Sequence, residues 1–197
     1  MKVLGNPSEL LASDIDRVDA IMLSAFSRMN RIPGKKALQK FVYFLKESGL
    51  DLSFKFQWDK WGPFSGELAT YVDDLVAEGF LESHPEPVPF GNRLDSAGIQ
   101  YNFTVSPRTK SLLSAQTISP SEKAKVDRVM KLIQEINTRN LELYASIHFM
   151  VRFLTTRGEK ARLPESLVEL MDEYKRGRFE DSEIKGAYYN LKTLGWL

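Results

Sequence analysis

Residues 65–81 read SGELATYVDDLVAEGFL and residues 182–197 read SEIKGAYYNLKTLGWL. Aligning Leu68 with Ile184 sets Leu75 on Leu191, Gly79 on Gly195, Phe80 on Trp196 and Leu81 on Leu197. Each copy has the pattern of an amphipathic helix ended by glycine, the residue that takes the left-handed C′ position without steric cost. The aromatic-aliphatic pair behind the glycine turns the chain back into a core. Such a helix, docking after two others, is the third helix of a helix-turn-helix or winged-helix unit.

Upstream of the first copy, a helix over about 14–30 starts at a capping-box-like Ser13-x-x-Asp16 and carries Ile15, Val18, Ile21, Met22, Ala25 and Phe26 at helical spacing. A second helix, about 35–48, buries Leu38, Phe41, Val42 and Leu45 and stops at Gly49. SFKFQW then alternates like a strand, with Phe54, Phe56 and Trp58 on one face, and Lys60-Trp61-Gly62-Pro63 turns into the repeated helix. FLESHP reads as a short strand, PEPVPFGNRLDSAG as a loop, and IQYNFTVS as the returning strand. Residues 1–116 are therefore expected to form a winged-helix-like domain with a long wing at about 84–98, closed by a short helix over 107–115.

After the linker QTISPS, residues 117–197 read as an all-helical domain. Pro120 opens a helix with Val126, Val129, Met130, Ile133 and Ile136 inward; 141–154 is apolar nearly all round and is the expected central helix; Pro164 sits in the first turn of a further helix. The second copy closes the chain. The expected class is α+β, mostly α: a winged helix-turn-helix-like N-terminal unit and a C-terminal helical bundle ending in a second helix-turn-helix-like element.

A chain of 197 residues with 43% hydrophobic side chains can bury substantial cores. Its 27 basic and 26 acidic residues leave a formal charge of +1, which selects neither nucleic acid nor membrane. The signs are unevenly placed: basic residues predominate up to Gly66, whereas Arg93 is the lone cation between Glu67 and Asp95. Cysteine is absent, which removes disulfides, thiolate metal sites and cysteine nucleophiles. With no apolar run of membrane-spanning length, the expectation is a cytoplasmic protein.

Nothing in the motif inventory points to catalysis. The two histidines, His84 and His148, fall in separate predicted units, and His148 reads as a core imidazole. Asp14-x-Asp16-x-x-Asp19 reads as acids complementing a helix N-terminus rather than as a hard-ion site. No glycine-rich phosphate loop or nucleophile elbow occurs. No catalytic residue, metal or cofactor is therefore assigned.

The runs GKKALQKFVYFLKESG (34–49), GPFSGEL (62–68) with its L-x-x-x-G-F-L ending, and LELYASIHFM (141–150), with a terminal helix closing in Leu-Gly, resemble the YwgA-like winged-helix family. More distantly they resemble the Panacea-type domains of antitoxins. The likeness covers about 30–82 and 138–197. It implies a DNA-binding or partner-neutralising role and supplies no catalytic residues, since a fold does not fix a function.

Two functions remain open from the residues themselves. The first is a non-enzymatic regulator that binds duplex DNA, as a homodimer, through basic surfaces. Arg28, Arg31, Lys35, Lys36 and Lys40 cluster at the first two helices, with Lys36, Lys40 and Tyr43 on one expected outward face; Arg93 lies in the wing, and Lys185 and Lys192 lie on the last helix. Against conventional readout, Glu67, Asp73, Asp74 and Glu78 are the charged residues of the helix at 64–78, which offers no side chain to read a base edge. The alternative is an antitoxin-like or adaptor protein that binds a protein partner, such as a toxin, through that acidic helix, with Glu67, Thr70, Tyr71 and Asp74 as its surface. Trp58 is expected in the core and Trp61 at the surface.

Overall fold

The computed structural model describes residues 15–90, 93–114, 118–134, 136–158 and 163–197, with the side chains of 89–97 outside that set. The first half runs α1 (Arg17–Ser27), α2 (Gly34–Glu47), β1 (Gln57–Asp59), β2 (Gly62–Phe64), α3 (Gly66–Ala77), β3 (Leu81–Phe90), β4 (Arg93–Val105) and α4 (Pro107–Leu113). The second runs α5 (Pro120–Ile133), α6 (Thr138–Thr156), α7 (Glu165–Lys175) and α8 (Asp181–Thr193). The fold is α+β and mostly helical, with two separate two-stranded antiparallel sheets among the described residues.

The repeated phrase ends both of its helices in the same way. In α3 the Gly79 N–H donates to Val76 O (3.1 Å) and the Phe80 N–H to Leu75 O (2.9 Å); in α8 Gly195 donates to Lys192 O (3.0 Å) and Trp196 to Leu191 O (2.8 Å). This is the paired Schellman closure, and it requires the left-handed glycines found there, at φ +77° and +70°. Phe80 and Trp196 are both buried.

At α1, Asp16 accepts from the Asp19 N–H (2.8 Å) and Asp19 reaches back to the Asp16 N–H, so the capping box lies later than the predicted Ser13-x-x-Asp16 and the helix begins at Arg17. Ser13 and Asp14 lie outside the described residues. Between α1 and α2, Ile32 exchanges two backbone hydrogen bonds with Phe103 of β4 (2.9 and 3.0 Å) and forms an isolated third rung beside the β3–β4 ladder. The strand predicted at SFKFQW is shorter than expected and lies later, at Gln57–Asp59. Lys60 and Trp61 fold β1 back onto β2, so its backbone groups pair there and not with β3 or β4.

The proline-rich stretch predicted as loop is instead strand. Leu81 pairs with Val105, and the antiparallel register runs unbroken to Pro89 opposite Ala97. Phe103 aims its N–H at Ile32, so the Ser83–Phe103 pair is non-hydrogen-bonded across β3–β4, and pairs of the same parity follow suit. Pro85, Pro87 and Pro89 share that parity. Their missing N–H groups fall on the outer edge of β3, where a donor would otherwise be open to a foreign strand.

α2 is buried without a break from Ala37 to Leu45. Elements from both halves of the chain cover it: β2, α3 and β4 on the N-terminal side, α5 and α6 from beyond the linker. α6, the predicted central helix, packs on α2, β2, α7 and α8. Its apolar run is less uniform than expected, since Phe153 stands 43% exposed. Among the described residues no helix is long and apolar enough to cross a membrane.

Candidate functional site

Segments more than a hundred residues apart bring their cations to one carboxylate. Glu142, in the second turn of α6, is fully buried. Its Oε2 lies 3.2 Å from Lys36 Nζ and 3.1 Å from Arg178 Nη2, and its Oε1 lies 3.3 Å from Lys175 Nζ. Lys175, the last residue of α7 and also buried, donates to Lys60 O at 2.8 Å, which ties α7 to the β1–β2 turn. One helical turn beyond Lys36, Lys40 donates to Pro63 O at 2.7 Å with only 2% of its surface exposed.

Tryptophans of the hairpin cover these cations. Lys36 Nζ sits 3.9 Å and Arg178 Cζ 4.8 Å from the Trp61 ring, and Lys175 Nζ sits 4.9 Å from the Trp58 ring. Trp58 is half-buried against Phe149 and Tyr174, whereas Trp61 is 37% exposed, as the sequence led us to expect. Gln39 fixes the opposite wall: its amide donates to Ser65 O and accepts from the Ser65 N–H, both at 2.9 Å, which holds the start of α3 against α2. Between α2, the hairpin and α3 lies a cavity of about 280 Å³ lined by Lys36, Lys40, Asp59, Trp61, Phe64 and Val72 among others.

Burial pushes the Lys40 ammonium down to about 7; neighbouring Lys175 and Lys36 push the same way, against Glu142 and Asp59. Lys175 is also lowered, first by burial, with Glu142 opposing. A second buried polar group lies nearby on α6. Tyr43 Oη is 2.7 Å from His148 Nδ1, and His148 Nε2 is 3.1 Å from Trp196 O. A carbonyl can only accept, so Nε2 carries the proton and the tyrosine donates to Nδ1. Burial lowers the imidazole to about 4 and raises the Tyr43 phenol, which leaves both neutral near pH 7.

The cations assigned to a DNA surface do not form an open stripe. Lys40 and Tyr43 are buried, which overturns their expected outward face: α6 covers the side of α2 that faces solvent when α2 is considered alone. Arg28 pairs with Asp127, Arg31 with Glu86, Lys35 with Asp73 (2.8 Å) and Lys36 with Glu142. Arg93 begins β4, but its side chain lies outside the described residues. On α8, Lys192 is exposed and Lys185 half-exposed. On α3, Thr70 and Asp74 are exposed, Glu67 accepts from the Lys55 N–H (2.9 Å), and Tyr71 is half-buried and donates to Asp19 (2.7 Å), with its phenol raised by burial and by that carboxylate.

Sequence reasoning overlooked Glu142, and it read Lys175, with Arg178, as a basic residue preceding the last helix and not as a buried one. A signal for the first was present: Glu142 is the one acid in a helix otherwise apolar nearly all round, and such a carboxylate must find buried partners. Among the described residues no group of three or more histidines and acids converges as metal ligands.

The GPFSGEL segment supplies Gly62, Pro63 and Ser65 to this site, LELYASIHFM supplies Glu142 and His148, and GKKALQKF supplies Lys36, Gln39 and Lys40. These are the segments that carry the likeness noted from the sequence, and over 129 residues the chain is 27% identical to the uncharacterised protein YwgA of Bacillus subtilis strain 168. The chain resembles YwgA. The match spans 65% of this chain and 71% of YwgA. No protein-family model matches the chain. The likeness to YwgA brings no activity with it, so function rests on the site itself.

Proposed function

We propose that this is a non-enzymatic regulatory or adaptor protein, winged-helix-like in its first half, that binds a protein partner with a basic surface through the acidic face of α3. Supporting the scaffold, α1, the Ile32 rung, α2, α3 and the β3–β4 hairpin follow one another in the order of a winged helix, with the hairpin as the wing. α3 occupies the place of the helix that enters a DNA groove, yet its charges are all acidic and would oppose a phosphate backbone. The observation that carries the proposal is the contrast in pairing. Asp74 and Glu78 are exposed and make no ion pair among the described residues, whereas Arg28, Arg31, Lys35 and Lys36 all have carboxylates of the same chain beside them. A charge left free is the one a partner can complement. An antitoxin-like role, in which α3 covers a basic surface of a toxin, fits this arrangement. Tagged protein expressed in its own host is expected to retain a stoichiometric partner that Asp74→Lys with Glu78→Lys releases; retention by the charge-reversed protein refutes the proposal.

A second reading, duplex DNA, is favoured by one observation: among the described residues Lys185 and Lys192 of α8 have no charge partner, and Tyr189 beside them is 53% exposed. Fluorescence anisotropy with mixed-sequence duplex across a salt series separates the two. DNA binding through α8 gives a log–log slope of about −0.9 per neutralised phosphate that shrinks in Lys185→Glu with Lys192→Glu. No binding at low salt leaves the α3 reading alone.

A further inference from the structure

The charges around Glu142 do not balance. Lys36, Lys175 and Arg178 share that single buried carboxylate, and Lys40, one turn away on α2, has no ion pair among the described residues. Among the described residues Lys40 makes one hydrogen bond, to Pro63 O, although an ammonium carries three donors. Lys40 and Lys36 both line the same cavity, whose other walls include the apolar Leu38, Trp61, Phe64, Ala69 and Val72. A concave, mostly apolar space with a few convergent polar groups is what small-molecule sites look like. The volume, about 280 Å³, lies at the small end of their range.

We propose that this cavity binds a small organic carboxylate with an apolar or aromatic body, the carboxylate held between Lys36 and Lys40 and the body lying between Trp61, Phe64 and Val72. Asp59 lines the same cavity and narrows the choice, because it repels a dianion such as phosphate more than a monoanion. The apolar walls act in the same direction, since a bare inorganic anion would leave them wet. The proposal requires neither the exposed acids of α3 nor a DNA contact on α8. An anion beside Lys40 also favours its protonated form. The groups facing Lys40 are Lys36 on α2, Glu142 on α6, Lys175 on α7 and Asp59 on β1; burial first, and then these charges, leave the amine close to half-protonated near neutral pH. Binding should therefore take up a proton above pH 7 and weaken as the pH rises.

The test is isothermal titration of the full chain with benzoate and phenylacetate, with benzyl alcohol and inorganic phosphate as controls, repeated at pH 7 and pH 9. The expected result is saturable one-to-one binding of an aromatic carboxylate, weaker by about tenfold or more for the alcohol, for Lys36→Gln and for Lys40→Met. Lys36 is half-exposed, so Lys36→Gln gives a folded control even if Lys40→Met unfolds. Equal affinity for benzyl alcohol, equal affinity in Lys36→Gln, phosphate binding tighter than either carboxylate, or no saturable binding of either carboxylate in the millimolar range would each overturn the proposal.

Discussion

Replacing Glu142 by glutamine removes a charge and almost no volume, so its effect isolates the electrostatics of the buried cluster. Lys36 and Arg178 keep about a third of their side chains in solvent, at 32% and 35%, and each loses no more than a surface pair contributes, about 0–1 kcal/mol. Lys175 is different: its side chain is 2% exposed, and an ion stranded by loss of its buried partner costs about 3–5 kcal/mol. Two things soften that figure, the remaining bond to Lys60 O and the ease with which an already lowered ammonium gives up its proton. A net loss of about 3 kcal/mol follows, or about 6–12 °C in Tm for a chain of this size. Urea unfolding followed by circular dichroism at pH 7 reads it. Lys175→Met in the Glu142→Gln background should cost much less than in the wild type, with a coupling of about 2 kcal/mol. A single-mutant loss under about 1 kcal/mol with no coupling would show that the cluster is solvated and the reasoning wrong.

Three further outcomes follow from the same geometry. The folded chain holds Lys40 near 7 against 10.5 for the free side chain, so between those values the unfolded chain binds a proton that the folded one does not. Stability attributable to Lys40 therefore rises with pH in that window, by up to about 1.4 kcal/mol per unit; the urea-midpoint difference between wild type and Lys40→Met at pH 7, 8 and 9 should trace that rise, and a flat difference contradicts it. At Gly62, φ is +87° and a Cβ would meet Ser146 Oγ at 2.5 Å, so Gly62→Ala should cost about 2–4 kcal/mol in chemical denaturation. Ser146→Ala, which deletes a hydroxyl without a partner, should recover part of that loss, and full additivity of the two changes would contradict the clash. Pro85→Thr with Pro87→Val restores two N–H groups to the outer edge of β3, and sedimentation velocity should then show concentration-dependent self-association beyond that of the wild type.

The helices were legible in the sequence because their signals are local. The Schellman glycines, the prolines at the starts of α4 and α5 and the 3.6-residue apolar period are all set within a turn or two of the chain. What misled was whatever depends on a distant neighbour. The alternation in SFKFQW could not say whether the strand pairs with β4 or folds back on itself, and Ile32 gave no strand signal because a single rung has no period. The prolines of 85–89 were misjudged for a related reason: composition marks them as loop residues, while their spacing of two is what an edge strand tolerates. Lys40 and Tyr43 looked like part of a solvent stripe because the helix that covers them lies a hundred residues further on. Of the site, the cations could be found from sequence, but their gathering on Glu142 could not.

The spacing of those prolines also matters for entropy. A pyrrolidine ring fixes its own φ and restricts the residue before it, so from His84 to Pro89 the backbone of β3 has few conformations open to it even before folding. An ordinary two-stranded ribbon would surrender about 1–2 kcal/mol per residue of backbone freedom in being held straight. Here covalent rings have already removed much of that freedom. Any surface that β3 meets thus meets a shape ordered in advance, and the free energy of the encounter is not drained by ordering the strand.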